Sequence, residues 1–210
     1  MKIGINCFNI SQGGTLTHLT NILNNSELND IEIVIWSGTN ALNEINEKKN
    51  IKKKEVNLLN KNLLIRIFWQ FFFLPQEIKK EKIDVLFNPG GVYLGNFKNS
   101  VSMSQNLLLF ENYELNRYKF KLRYFKFLIL KYLQIYTFNK SKGLILLTEY
   151  TKKIILPFIK DKNKTLKIIP HGVIKNDIQK IKKIRNIQNC TAESPFTLIY
   201  VSTIDLYKHQ

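Results

Sequence analysis

The sequence predicts an α/β fold, a Rossmann-like open parallel sheet with helices on both faces. Short apolar runs of strand length alternate with segments of helical spacing along almost the whole chain. Glycine, proline or serine closes most of the strand-like runs. That strand–helix order joins parallel strands through right-handed crossovers.

Taken in order, residues 3–8 are apolar and suit a buried strand, and Ser11-Gln12-Gly13-Gly14 turns the chain. The span 15–24 has helical spacing, with Leu16, Leu19 and Leu23 on one side. A second buried strand covers 31–36 and closes at Ser37-Gly38. The polar stretch 40–50 reads as helix or loop, and 52–58 as a third strand. Residues 62–82 are apolar and helical, with Pro75 placed to kink or split them. Strands follow at 83–88, ended by Pro89-Gly90-Gly91, and at 100–104. A long helix is expected over 115–139, then a strand over 142–147 and a helix over 149–158. The next strand, 166–169, stops at Pro170-His171-Gly172. The basic, polar span 175–194 reads as a linker or a poorly packed helix, and 196–201 as a fresh strand. A lone strand leaves its edges and apolar faces bare. The expected organisation is therefore a domain over 1–174, a linker over 175–194, and 195–210 as the truncated start of a second domain.

Hydrophobic residues make up 44% of the chain, enough for an ordinary core. Against 16 Asp plus Glu stand 32 Lys plus Arg, and a net charge of +16 attracts anions: nucleic acid, lipid headgroups or phosphorylated small molecules. Arginine occurs only at Arg66, Arg117, Arg123 and Arg185. Base readout and bidentate phosphate recognition favour arginine, and no nucleic-acid-binding motif is present, so nucleic acid is not the expected partner. Lysine, asparagine, isoleucine and phenylalanine are abundant together, as an A+T-rich coding bias would make them. The charge thus reads equally as compositional drift or as selection for an anionic partner. Cys7 and Cys190 lie too far apart for a disulfide framework or a zinc site, which suits a reducing, cytoplasmic compartment. The first ten residues carry no signal-peptide core. The longest apolar run, 67–74, contains Gln70, ends at Pro75, and is too short to cross a bilayer.

Within the expected long helix, Tyr118, Leu122, Phe125, Ile129, Leu133 and Tyr136 share one face and read as a core stripe. Phe120, Tyr124, Phe127 and Leu128 lie away from it, among Lys121, Arg123, Lys126 and Lys131. Two readings stand open for them: packing within the protein, or contact with an anionic membrane by Phe120, Lys121, Arg123, Tyr124 and Phe127.

Three segments suit ligand chemistry. Gly13-Gly14 after the first strand lets a backbone approach a ligand, and the helix start at Thr15 offers free amides to an anion or hydroxyl. A third spaced glycine is missing, so this is not the dinucleotide fingerprint; a plain strand-to-helix turn explains it equally well. Gln105 and Asn106 follow a strand at the end where open parallel sheets bind ligands, and carboxamides hydrogen-bond sugar hydroxyls. A capped turn is the alternative there. His171 and Gly172 follow another strand. His18, His171 and His209 are scattered and make no metal-ligand cluster. No Walker lysine loop or nucleophile elbow occurs.

The order of these pieces resembles family 4 glycosyltransferases. The resemblance rests on the Gly13-Gly14 turn, then Val101-Ser102-Met103-Ser104-Gln105-Asn106-Leu107-Leu108-Leu109-Phe110-Glu111. It continues through Gly143-Leu144-Ile145-Leu146-Leu147-Thr148-Glu149-Tyr150-Thr151 and Ile168-Ile169-Pro170-His171-Gly172-Val173. The closing Leu198-Ile199-Tyr200-Val201-Ser202-Thr203-Ile204-Asp205-Leu206-Tyr207-Lys208-His209-Gln210 is similar to the first strand and loop of that family's donor domain. The likeness implies the N-terminal lobe of a two-lobed glycosyltransferase-B architecture. It implies transfer of a sugar from a nucleotide-sugar co-substrate to a glycan or lipid-linked acceptor in cell-surface polysaccharide synthesis, with no metal or other cofactor. It places Gly13, Gly14, Thr15, Gln105, Asn106, His171 and Gly172 at the acceptor cleft, and Lys208 on the donor diphosphate. Gln105 stands where many relatives carry a histidine, and an amide cannot take a proton at neutral pH. Thr203 replaces an arginine, and the glutamate-rich donor motif lies beyond the chain, so no catalytic base is assigned. A cytoplasmic enzyme resting on the inner face of the plasma membrane is the implied setting. The alternative is a non-catalytic glycan- or partner-binding module on the same fold.

Overall fold

Seven strands pair side by side, every neighbour parallel: β1 (Lys2–Asn6), β2 (Glu32–Ser37), β3 (Ile51–Glu55), β4 (Val85–Asn88), β5 (Ser100–Ser104), β6 (Gly143–Leu146) and β7 (Thr165–Ile168). Their order is β3-β2-β1-β4-β5-β6-β7, so the winding reverses between β1 and β4. These elements come from a computed structural model that describes residues 1–10, 13–25, 28, 30–172, 187–191, 193–197, 199–200 and 204–208. The chain divides into two units, Met1–Pro170, which holds the sheet, and His171–Gln210.

Helices cover both faces of the sheet, as expected. On one side α1 (Gly14–Asn25) and α2 (Thr39–Asn43) bury Leu19, Leu23 and Leu42 against Ile5, Ile33 and Ile35. On the other, α3 (Leu63–Phe72) and α4 (Leu74–Lys80) set Trp69, Leu74 and Ile78 on Val34, Trp36 and Leu86. Pro75 splits α3 from α4 as predicted, and the Asn62 side chain caps α3 by accepting from the Ile65 amide at 3.1 Å. α6 (Leu122–Lys140) and α7 (Glu149–Ile155) extend this layer over Leu144 and Leu146. Pro157 tightens the chain after α7 into a 3-10 turn, Leu156–Phe158.

The helix expected over 115–139 is two helices. α5 (Asn112–Asn116) ends before a turn over 117–121, in which Phe120 adopts a left-handed backbone with φ 72°, and α6 begins at Leu122. The turn folds Tyr118 inward, where its ring meets Phe127 edge-on at 5.0 Å. The expected core stripe is largely overturned. Tyr118 is buried and Leu133 packs on the core, but Leu122, Phe125, Ile129 and Tyr136 are exposed. The inward face of α6 is instead Gln134, Thr137 and Phe138. Beneath it lie Ser100, Ser102 and Ser104, whose small side chains let the helix seat closely. Ser102 and Ser141 share a hydrogen bond of 2.7 Å, and the Tyr93 amide donates to the Thr137 hydroxyl at 2.9 Å. Polar groups satisfied in this way serve the contact that apolar ones were expected to make.

In the unit His171–Gln210, the described residues hold two 3-10 turns, Ile187–Asn189 and Leu206–Lys208. The strand expected over 196–201 is absent among its described residues, 196, 197, 199 and 200. Among the described residues, none pairs with them along a ladder, as a strand requires. Of the expected linker, 175–186 and Ala192 lie outside the described residues, as do Val173, Leu198, Val201, Ser202, Thr203, His209 and Gln210 of the resemblance.

Candidate functional site at the carboxyl edge of the sheet

In an open parallel sheet, the loops leaving the carboxyl ends of the strands form a crevice where the winding reverses. Here the loops after β1 and β4 flank that point. Asn6, the last residue of β1, donates from Nδ2 to Oδ1 of Asn88, the last of β4, at 3.0 Å, and its own Oδ1 accepts from the Phe8 amide at 3.3 Å. This buried pair ties the two strand ends together. Asn88 Nδ2 and, at the end of β5, Ser104 Oγ are buried without a hydrogen-bond partner, as is Gln134 Oε1 on α6. Unpaired groups are costly inside a core, and two of these three stand on strand ends.

The glycine turn stands at this edge. Gly13 has φ 79°, a conformation that suits glycine, and both Gly13 and Gly14 are exposed, with open space where a side chain would project. The Gly13 carbonyl accepts from the Thr17 amide at 3.1 Å, starting α1 beside the half-buried Thr15. Two strands across, Gln105 is half-buried and its Nε2 contacts the Met103 sulfur at 3.4 Å. Asn106 is exposed, and its Oδ1 accepts from the Leu108 amide at 3.0 Å, so part of its hydrogen-bonding capacity serves as a turn cap. β1 and β5 thus bring Gly13, Gly14, Thr15, Gln105 and Asn106 to one edge. His171, Gly172 and Lys208 belong to the other unit. His171 and Gly172 are exposed, and the Lys208 amine sits 5.0 Å from the Tyr207 ring.

Three groups at the edge were not singled out from the sequence. Gly91, after β4, has φ 70°, and a side chain there would meet the Met103 carbonyl at 3.1 Å and the Gln134 amide at 3.2 Å. The Pro89-Gly90-Gly91 run was its signal. Arg66 on α3 reaches the Phe8 carbonyl at 3.4 Å and Asn9 Oδ1 at 3.5 Å. It lines two cavities beside β1: a polar one of about 360 Å³ with Thr39, Asn60 and Lys61, and an apolar one of about 550 Å³ with Leu63, Ile67 and Leu130. Asn9 joins it in the second. Nothing local in the sequence brings residue 66 to residues 8 and 9; the packing of α3 against Phe8, in the loop after β1, does.

The acid–base inventory at this edge is thin. Burial pushes the Cys7 thiol up to about 12, the Ser37 hydroxyl offsetting only part of that, so Cys7 is no nucleophile. At the start of α7, Tyr150 donates to Glu111, which precedes α5, and that hydrogen bond raises the tyrosine's pKa. Among the described residues, no three His, Cys, Asp or Glu side chains are grouped to hold a metal ion, and no helix is long and apolar enough to cross a membrane. The candidates for membrane contact part company: Phe120, Lys121 and Arg123 are exposed, Tyr124 is half-buried, and Phe127 packs into the core beneath α6.

No family model matches the chain, and no curated protein matches it. Among solved structures, the oxidoreductase ylbE from Lactococcus lactis is similar to 71% of this chain over 71% of its own, with 13% identity and a TM-score of 0.35. What stands on the geometry itself is a Rossmann-like parallel sheet with helices on both faces, an architecture common to many nucleotide-binding enzymes.

Proposed function

We propose that this chain is the acceptor-side part of a glycosyltransferase of the glycosyltransferase-B type, moving a sugar from a nucleotide-sugar donor to a glycan or lipid-linked acceptor in cell-surface polysaccharide synthesis. The observation that carries the reading is that Gly13-Gly14 follow β1 and Gln105-Asn106 follow β5, on the same carboxyl edge of the sheet and on either side of the winding reversal. Those are the segments on which the family resemblance rests. Open space at Gly13 and Gly14 admits a ligand without steric conflict, and a helix start offers amides without intrahelical partners to receive it. Gln105 orients a sugar hydroxyl, with Asn106 beside it. By resemblance, Lys208 meets the donor diphosphate, and His171-Gly172 leads from one lobe toward the next.

Saturation-transfer NMR against a panel of short glycans and nucleotide sugars, with a transfer assay alongside, tests this. Glycan signals should be present for the native chain. They should fall about tenfold for Gln105→Ala, the loss of a hydrogen bond to a neutral group. Absence of glycan binding by a well-folded sample contradicts the proposal.

A non-catalytic glycan-binding module is the second reading. The carboxamide at position 105 favours it, because neither nitrogen nor oxygen of an amide accepts a proton at neutral pH. Glycan binding without transfer from any donor supports the module, and turnover removes it.

A further inference from the structure

We propose that the outward face shared by α3 and α6 docks on an anionic lipid bilayer. On α3, Leu64, Phe68, Phe71 and Phe72 are exposed at helical spacing along one side. On α6, Leu122, Phe125, Ile129 and Tyr132 form a second exposed stripe, with Leu122 at 91% exposure. Both helices lie on the same face of the sheet and flank the 550 Å³ apolar groove, lined by Leu63 and Ile67 from one and Ile129 and Leu133 from the other. Phe68 and Phe72 hold each other at 4.7 Å. The two stripes have the spacing of core positions, yet they look away from the sheet. Such an exposed apolar surface marks an interaction site.

The charge on this face selects the partner. Lys61, Lys121, Arg123 and Lys126 are exposed on or beside the two helices, and Arg66 and Lys126 border the groove. The sequence holds no Asp or Glu from residue 56 to 76, or from 115 to 148. A second copy of this chain would match the apolar stripes but set base against base. Nucleic acid would match the bases but offers no apolar interior to Leu64 and Leu122. An anionic bilayer satisfies both, with hydrocarbon for the stripes and phosphate headgroups for the bases. The groove runs from the stripes to Phe8, Asn9 and Val92 beside β1 and β4, so docking here brings the carboxyl edge near the lipid surface. This inference stands whether or not the chain transfers sugars.

Sedimentation of the full chain with vesicles tests it, using equimolar phosphatidylglycerol and phosphatidylcholine against phosphatidylcholine alone. The native chain should partition to the anionic vesicles, less so in high salt. Phe68→Ser with Phe72→Ser, and separately Leu122→Ser with Phe125→Ser, should each weaken partitioning at least about tenfold, from the apolar area withheld from the bilayer. All four side chains are exposed, so far-UV circular dichroism should stay native. Ile22→Ser, on α1 at the opposite face of the sheet, should bind like the native chain. Native partitioning by both double variants, or no anionic preference, overturns the proposal. So does self-association that both double variants abolish while vesicles bind nothing; the face would then be a protein interface.

Discussion

Gly4, in the middle of β1, faces the buried ring of Trp36 so closely that a Cβ would stand 2.7 Å from it. The Gly4→Ala variant must shift that ring or the strand. It should lose about 1–3 kcal/mol, as overpacked cores do, which denaturant unfolding will measure. An unchanged midpoint would mean the ring moves freely. Next along the strand edge, Cys7 is buried and its thiol is held near 12. It should therefore resist alkylation at neutral pH in the folded protein and react only on unfolding, as mass spectrometry of the labelled peptides will record. Rapid native-state labelling would contradict the burial. Both residues were placed in a buried strand from the sequence. Their close neighbours were not legible, because Trp36 and Ser37 lie on a different strand. Asn6 and Asn88 show the same limit: each is an unremarkable strand residue until the register of β1 against β4 joins them.

At the scale of the element, α6 is the instructive case. Periodicity locates an amphipathic helix but does not say which side faces the protein. The partner surface decides that, and here Thr137 meets the Tyr93 backbone, Gln134 stands beside Gly91, and Ser141, just past the helix, meets Ser102. The inward side of α6 mixes Gln134 and Thr137 with Leu130, Leu133 and Phe138, while Leu122, Phe125, Ile129 and Tyr136 of the expected stripe face outward. Strand β3 is a second case. Its Lys52 and Lys54 gave little strand signal, yet they face Glu81 at 2.9 Å and 2.6 Å and hold α4 over the edge strand. Charged side chains on an edge strand also deter pairing with other chains. Hydrogen bonds from Lys54 and then Lys52 lower Glu81 from 4.5 to about 2. A depressed carboxylate stabilises the fold above its unfolded pKa, and that contribution is lost as pH falls through the folded value. Thermal stability should accordingly drop between about pH 4.5 and pH 2 more steeply for the native chain than for Glu81→Gln. At neutral pH the variant should be less stable by about 2 kcal/mol, between an exposed and a buried ion pair. Parallel acid profiles for the two proteins would remove Glu81 from the account.

For the molecule as a whole, the alternation of strands and helices was legible from 1 to 170 because each run is bounded by its own turn residues. Strand order was not, since it depends on which crossovers turn back, and the reversal between β1 and β4 defines the crevice. Gly13-Gly14 and Gln105-Asn106 could be named from local chemistry. That they share one edge follows from the order of β1, β4 and β5, and Arg66 joins the neighbourhood through helix packing alone. This edge is proposed to receive a glycan. Amide chemical-shift mapping of the isotope-labelled full chain, titrated with short glycans, tests it most directly. Shifts should gather at Gly13, Gly14, Thr15, Gln105 and Asn106, with α2 and β3 unmoved. Shifts confined to other surfaces, or none at saturating glycan, would contradict it.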